Sequence, residues 1–132
     1  MAIVFLINPG DDFLDKKGDR PPLGLAYLSA YLKKHGHNTM ILDLNHKEDE
    51  ELLQEEIPIP DFICLTVSTP GYKKAIELAK ILGIEYPQAK LIAGGNHVSA
   101  YPDEPLTLKT FDYVVTGTDG EEALLRIVEG KV

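Results

Sequence analysis

Two patterns of apolar residues alternate along the chain: short continuous runs, and longer stretches with a period near 3.6. Ala2 to Ile7 is an unbroken apolar, β-branched run and predicts a strand covered on both faces. A polar loop rich in Asp and Gly follows from Asn8 to Arg20, and Pro21-Pro22 opens a helix reaching about His35. Leu25, Leu28 and Leu32 fit one face of that helix, Lys33, Lys34 and His35 suit its C-terminal end, and Gly36 suits the position just beyond it. Asn38 to Leu42, ending at Asp43, predicts a second strand, and the acidic stretch Lys47 to Glu56 reads as an exposed weak helix or a loop. Phe62 to Val67 predicts a third strand, apolar except for Cys64 and Thr66. Gly71 to Ile84 predicts a helix, with Tyr72, Ala75, Ile76, Ala79 and Leu82 on one face and Pro87 punctuating its end. The remaining elements are a strand at Lys90 to Ala93, a short irregular or helical stretch at Pro102 to Thr110, and a strand at Tyr113 to Thr116. A last helix begins after Asp119, a good N-cap with Glu122 at the capping-box position, and ends near Glu129-Gly130.

Strands that alternate with helices predict an α/β fold: a Rossmann-like or flavodoxin-like, doubly wound, five-stranded parallel sheet in three αβα layers. Right-handed crossovers leave few topologies, of which the order 2-1-3-4-5 is expected. At 132 residues with no linker or repeat, the chain is expected to be a single domain. A formal charge of −8 argues against nucleic acid or an anionic membrane as partner. No run approaches the ~20 apolar residues that span a bilayer. The single cysteine, Cys64, sits inside an apolar strand and reads as a small buried hydrophobe. A cytoplasmic setting is expected from this cysteine usage.

In such sheets ligands bind beyond the carboxyl ends of the strands. The residues delivered there are Asn8-Pro9-Gly10, Ser68-Thr69-Pro70-Gly71, Gly94-Gly95-Asn96-His97 and Gly117-Thr118-Asp119-Gly120. These loops are small, polar or glycine-bearing and offer neither an acid/base dyad nor metal-ligand spacing, so they point to ligand binding by backbone and hydroxyl groups. Gly94-Gly95 taken alone reads first as a turn, and with its neighbours as bare backbone set against a flat ligand. Neither a phosphate-binding Gly-x-x-x-x-Gly-Lys-Ser/Thr loop nor a dinucleotide Gly-x-Gly-x-x-Gly follows the first strand. A phosphorylatable receiver shares the expected strand order, and Asp11-Asp12 matches its acidic pair. It needs an aspartate ending the third strand and a lysine after the fifth, where this chain has Val67-Ser68-Thr69 and Gly117-Thr118.

Several stretches carry a more specific resemblance: Asn8-Pro9, Pro21-Pro22-Leu23-Gly24-Leu25, His35-Gly36-His37, Ser68-Thr69-Pro70, Ala93-Gly94-Gly95 with His97-Val98-Ser99-Ala100, and Phe111 to Val115 leading to Gly117. Together they resemble the N-terminal cobalamin (vitamin B12)-binding domain of cobalamin-dependent radical S-adenosylmethionine enzymes, over essentially the whole chain. The resemblance implies that the carboxyl edge receives the lower nucleotide tail of cobalamin. It implies hydrogen bonds from Ser68 and Thr69, a dimethylbenzimidazole slot beside Gly94 and Gly95, and a wall formed by Gly117, Thr118 and Gly120. Asn8, Pro9, Asn96 and His97 complete the expected contacts. The family usually has proline where Asn96 stands, and this chain carries one residue more in the Gly117 to Glu121 turn.

No histidine lies between Asn8 and His35, so the first loop has no axial imidazole of the Asp-x-His-x-x-Gly type. His97 either faces the ligand or bonds backbone at the following turn. His35 and His37 flank a helix stop and read as surface residues, Asp43 as a solvated strand-end carboxylate, and Tyr27 and Tyr31 as packing residues. The resembled enzymes also need a 4Fe-4S cluster on three cysteines, and S-adenosylmethionine. With Cys64 alone, this chain is expected to be a non-catalytic module, the N-terminal part of a longer radical enzyme that is methyltransferase-like or cyclase-like. In isolation it is expected to bind cobalamin weakly or not at all. The alternative is a cofactor-free flavodoxin-like regulatory or interaction domain.

Overall fold

The structure, a computed structural model, describes residues 2–9, 23–44, 58–68, 71–95, 98, 100–101, 104–116 and 120–130. In chain order these contain β1 (Ile3–Asn8), α1 (Leu23–Lys34), β2 (Asn38–Asp43), β3 (Phe62–Thr66) and α2 (Tyr72–Glu85), then β4 (Lys90–Gly94), α3 (Pro105–Thr110), β5 (Tyr113–Val114) and α4 (Gly120–Val128). The expected acidic helix or loop at Lys47 to Glu56, the Pro21-Pro22 start and the Asp119 cap lie outside the described residues.

The strands form one parallel sheet in the order β2-β1-β3-β4-β5, as the alternation predicts. Its register is set by apolar residues that alternate between two covered faces. Phe5, Ile7, Ile63, Leu65, Leu91 and Ala93 project toward α2 and α3, where they meet Ala75, Ile76, Ala79, Leu82 and Phe111. Val4, Leu6, Cys64 and Ile92 project the other way, onto Leu25 and Leu32 of α1 and Leu124, Leu125 and Val128 of α4. Both faces of the central strands are therefore dry, which is why those strands read as unbroken apolar runs.

Polar groups tie down the amino edge. Asp61 accepts a hydrogen bond from the Ile3 amide at 2.8 Å, and Asp112 accepts one from the Leu91 amide at 2.8 Å. Each carboxylate thus satisfies a backbone amide near the start of a neighbouring strand. Helix α1 stops as expected: Gly36 takes φ +88°, and the His37 and Gly36 amides donate back to the Leu32 and Lys33 carbonyls.

That stop overturns the reading of His37 as a surface residue. The reversed chain folds its second residue back under the helix end, so His37 is buried. Its Nδ1 accepts from the Ala2 amide at 3.1 Å, and its Nε2 lies 3.2 Å from the Glu129 carboxylate. An Nδ1 that accepts leaves the proton on Nε2, which donates to Glu129. Two further expectations change. Asp43 is only 3% exposed, because its position in β2 turns it onto the α1/α4 face, where the Asn8 amide nitrogen donates to it at 3.2 Å. Tyr27 lies on the outer side of α1 and is 66% exposed, while Tyr31 packs partly against the core and rests on the His35 ring.

Element ends shift slightly. Strand β5 has only two residues, β3 stops at Thr66, and Pro105 begins a true helix within the stretch read as irregular or helical. Glu122 pairs forward with Arg126 at 2.9 Å. Among the described residues no helix is long and apolar enough to cross a membrane.

Candidate functional site at the carboxyl edge of the sheet

Five strand ends converge here, and β3 and β4 define the geometry. Thr66 and Gly94 are register partners on adjacent parallel strands. They share the face that carries Cys64 and Ile92, between the layers of α1 and α4. Among the described residues a Cβ built on Gly94 meets nothing within 4 Å. The missing side chain therefore leaves open space at the end of an otherwise fully packed strand.

Gly95 lacks a side chain for a different reason. Its φ is +105°, and a Cβ there would lie 2.8 Å from the Val67 carbonyl oxygen and 2.9 Å from the Val67 nitrogen. The chain turns sharply over the end of β3, a path open only to glycine. The Val67 amide donates to the Gly94 carbonyl at 2.7 Å, which extends the pairing one step past β3. The two glycines thus divide the work: one makes the turn and the other leaves the space.

The hydroxyl residues also divide. Ser68 Oγ accepts a hydrogen bond from the Gly71 amide at 3.1 Å and shapes the turn into α2. Among the described residues the Thr66 side chain enters no hydrogen bond, and Thr66 is the register neighbour of Gly94 on the same face of the sheet. Thr66 was missed by sequence reasoning, which placed the contacts one step later, at Ser68 and Thr69. The available signal was alternation: Phe62, Cys64 and Thr66 share one face, and only the last is polar at the open end of the strand.

The other expected residues are placed as follows. Asn8 ends β1 half-buried and bonds Asp43, and Pro9 is buried beside it. Gly120 is the first residue of α4, where a Cβ would touch Val115 at 3.8 Å, an ordinary contact. Thr69, Asn96, His97, Gly117 and Thr118 lie outside the described residues. The structure therefore brings Ser68, Gly94 and Gly95 together on adjoining strand ends and sets Asn8 on the next strand.

Below the edge, burial pushes the Cys64 thiol up to about 12. A thiol so far from ionising is a poor nucleophile at neutral pH. The receiver reading finds no support at the described positions, because β3 ends on Thr66 and Val67 instead of a carboxylate.

Residues 14–128 match the family model described as the B12 binding domain. An anaerobic magnesium-protoporphyrin IX monomethyl ester cyclase from Rubrivivax gelatinosus is 30% identical over 116 residues, covering 84% of this chain and 21% of the relative. The corresponding cyclase from Cereibacter sphaeroides is also 30% identical, covering 98% of this chain and 22% of that protein. The chain thus spans about a fifth of the length of the curated relatives it matches. Among solved structures, a radical S-adenosylmethionine methyltransferase from Kitasatospora setae superposes with a TM-score of 0.76 at 23% identity, over 99% of this chain and 26% of that one. A response regulator from Thermotoga maritima superposes at 0.70 with 15% identity, over 98% of this chain and 96% of that one. At these identities the superpositions speak for the shared fold alone.

Proposed function

Starting from the premise that this chain belongs to the B12-binding domain family, we propose that its carboxyl edge binds the lower nucleotide tail of cobalamin on the α1/α4 face. The observation that carries this reading is the open space at Gly94, since a packed strand end would be closed by any side chain there. A flat aromatic base fits beside bare backbone, and the Thr66 hydroxyl is available to hydrogen-bond a ring nitrogen or a ribose oxygen. Gly95 turns the chain away before it can obstruct the slot. Ser68 supports the β3 turn, Asn8 and Pro9 lie at the end of β1, and Thr69, Asn96, His97, Gly117, Thr118 and Gly120 are the further residues that the family resemblance assigns to the tail.

Bound cobalamin brings a redox-active cobalt centre to this edge. The chain's own residues bind and orient the tail, and no histidine of the loop after β1 ligates the metal. The domain acts as a non-catalytic module next to a radical S-adenosylmethionine domain in cis. The 4Fe-4S cluster and S-adenosylmethionine sit in that second domain, because a single buried Cys64 cannot hold a cluster. A longer enzyme of the methyltransferase or cyclase class, working in the reducing cytoplasm, fits the relatives' names and the cysteine usage.

Thr66→Val separates this reading from a fold that has lost its cofactor. The swap keeps the shape of the side chain and removes only the hydroxyl. One neutral hydrogen bond is worth about 0.5–1.5 kcal/mol, so hydroxocobalamin titrated by amide shifts should bind the variant roughly three- to tenfold more weakly. Equal affinities for variant and wild type would remove Thr66 from the site. Absence of saturable shifts in both proteins would favour the cofactor-free alternative or demand the adjoining domain for binding.

A further inference from the structure

A cleft of about 320 Å³ lies on the opposite face of the sheet from Gly94, between α2 and α3. Its floor is apolar: Ala79 and Gly83, one turn apart on α2, and Leu91 near the start of β4. Lys80 stands on one wall, and Lys109 and Thr110 at the end of α3 form the other. Both lysines are exposed, and among the described residues neither enters an ion pair. That is notable in a chain with 21 acidic residues against 13 basic ones. Ile84, one turn beyond Lys80, extends the apolar surface past the rim and is 82% exposed.

We propose that this cleft is a second binding site, for a compact amphiphilic anion with a carboxylate head and a short apolar body. The apolar body covers the Ala79, Gly83 and Leu91 floor, where displaced water supplies the driving force. The carboxylate lies between the two ammonium groups, which gain partners that the chain itself withholds. The volume is at the small end of ordinary ligand clefts, about 300–1,000 Å³, which favours a body of a few carbons over a cofactor. Apolar floor and cationic rim are both required, so neither an uncharged chain nor a bare anion satisfies the site. The site is independent of the cobalamin reading, since it uses other elements, the other face and the opposite end of β4.

Hexanoate is a suitable probe, with hexanol and inorganic phosphate as partial mimics of its two halves. Titrated into the protein and followed by amide shifts, hexanoate should give saturable changes at Ala79, Gly83, Leu91 and Thr110, while hexanol and phosphate should not. Exposed ion pairs are individually weak, so Lys80→Gln with Lys109→Gln should lower hexanoate affinity roughly fivefold. Both positions are on the surface, and an unchanged melting temperature will show that the double variant is folded. The proposal is overturned if hexanoate produces no saturable change at those four amides, if the double variant binds it equally well, or if hexanol or phosphate matches it.

Discussion

A methyl group added to Gly95 would sit 2.8 Å from a backbone oxygen, whereas one added to Gly94 would project into open space. Gly95→Ala should therefore destabilise the fold by about 2 kcal/mol or more, from the left-handed backbone and the overlap together. Gly94→Ala should leave stability unchanged or raise it by up to about 1 kcal/mol, because alanine suits a strand better than glycine does. Urea unfolding of the two variants measures the contrast, and equal losses would mean that Gly94 is also a packing glycine. The pair of glycines was legible in the sequence, but their separate roles were not. Those roles depend on how closely β3 passes beneath, a tertiary distance that no local pattern encodes. Cys64 was read correctly from its apolar neighbours, and its burial has a consequence for pH. Its thiol is raised from an ordinary 9.0 to about 12, so the unfolded chain ionises first as pH rises. The contribution of Cys64 to stability is complete below pH 9 and is lost progressively between pH 9 and 12. At pH 10 the wild type should have lost about 1.4 kcal/mol more than Cys64→Ala, relative to pH 8, in paired urea titrations.

At the scale of elements, apolar pattern located α1, α2 and the five strands, capping signals located α4, and the α3 stretch stayed open between irregular and helical. Their ends were less legible. The reversal after α1 shows why: Gly36 marked the stop, yet the consequence for the next residue depends on the three-dimensional path of the chain. His37 is carried under the helix end and clasps the Ala2 amide and the Glu129 carboxylate, joining the start of β1 to the end of α4. Replacing it with leucine keeps the burial but leaves those two groups without this partner. His37→Leu should cost about 1–3 kcal/mol in thermal or urea unfolding. A neutral result would show that the clasp is incidental. Asp43 teaches the same lesson, since only the pairing of β1 with β2 reveals that Asn8 stands opposite it.

Across the whole molecule, the doubly wound sheet puts its covered faces and its open edge where the alternation of elements requires. The sheet supplies rigidity, and the described residues at its carboxyl edge, Asn8, Thr66, Ser68, Gly94 and Gly95, are chemically mild. This division fits a module that holds a cofactor for chemistry performed elsewhere. Sequence motifs pointed to the family; that Thr66 stands opposite Gly94 follows from strand register. The most direct test is hydroxocobalamin titration of the wild type beside Gly94→Val, with absorbance and amide shifts recorded together. Valine suits a strand and fills the open space, so the variant should fold normally and lose at least about tenfold in affinity. Wild-type shifts should cluster at Thr66, Ser68, Gly94 and Gly95. Undiminished binding by Gly94→Val, or saturable wild-type shifts that fall away from these four residues, would contradict the account.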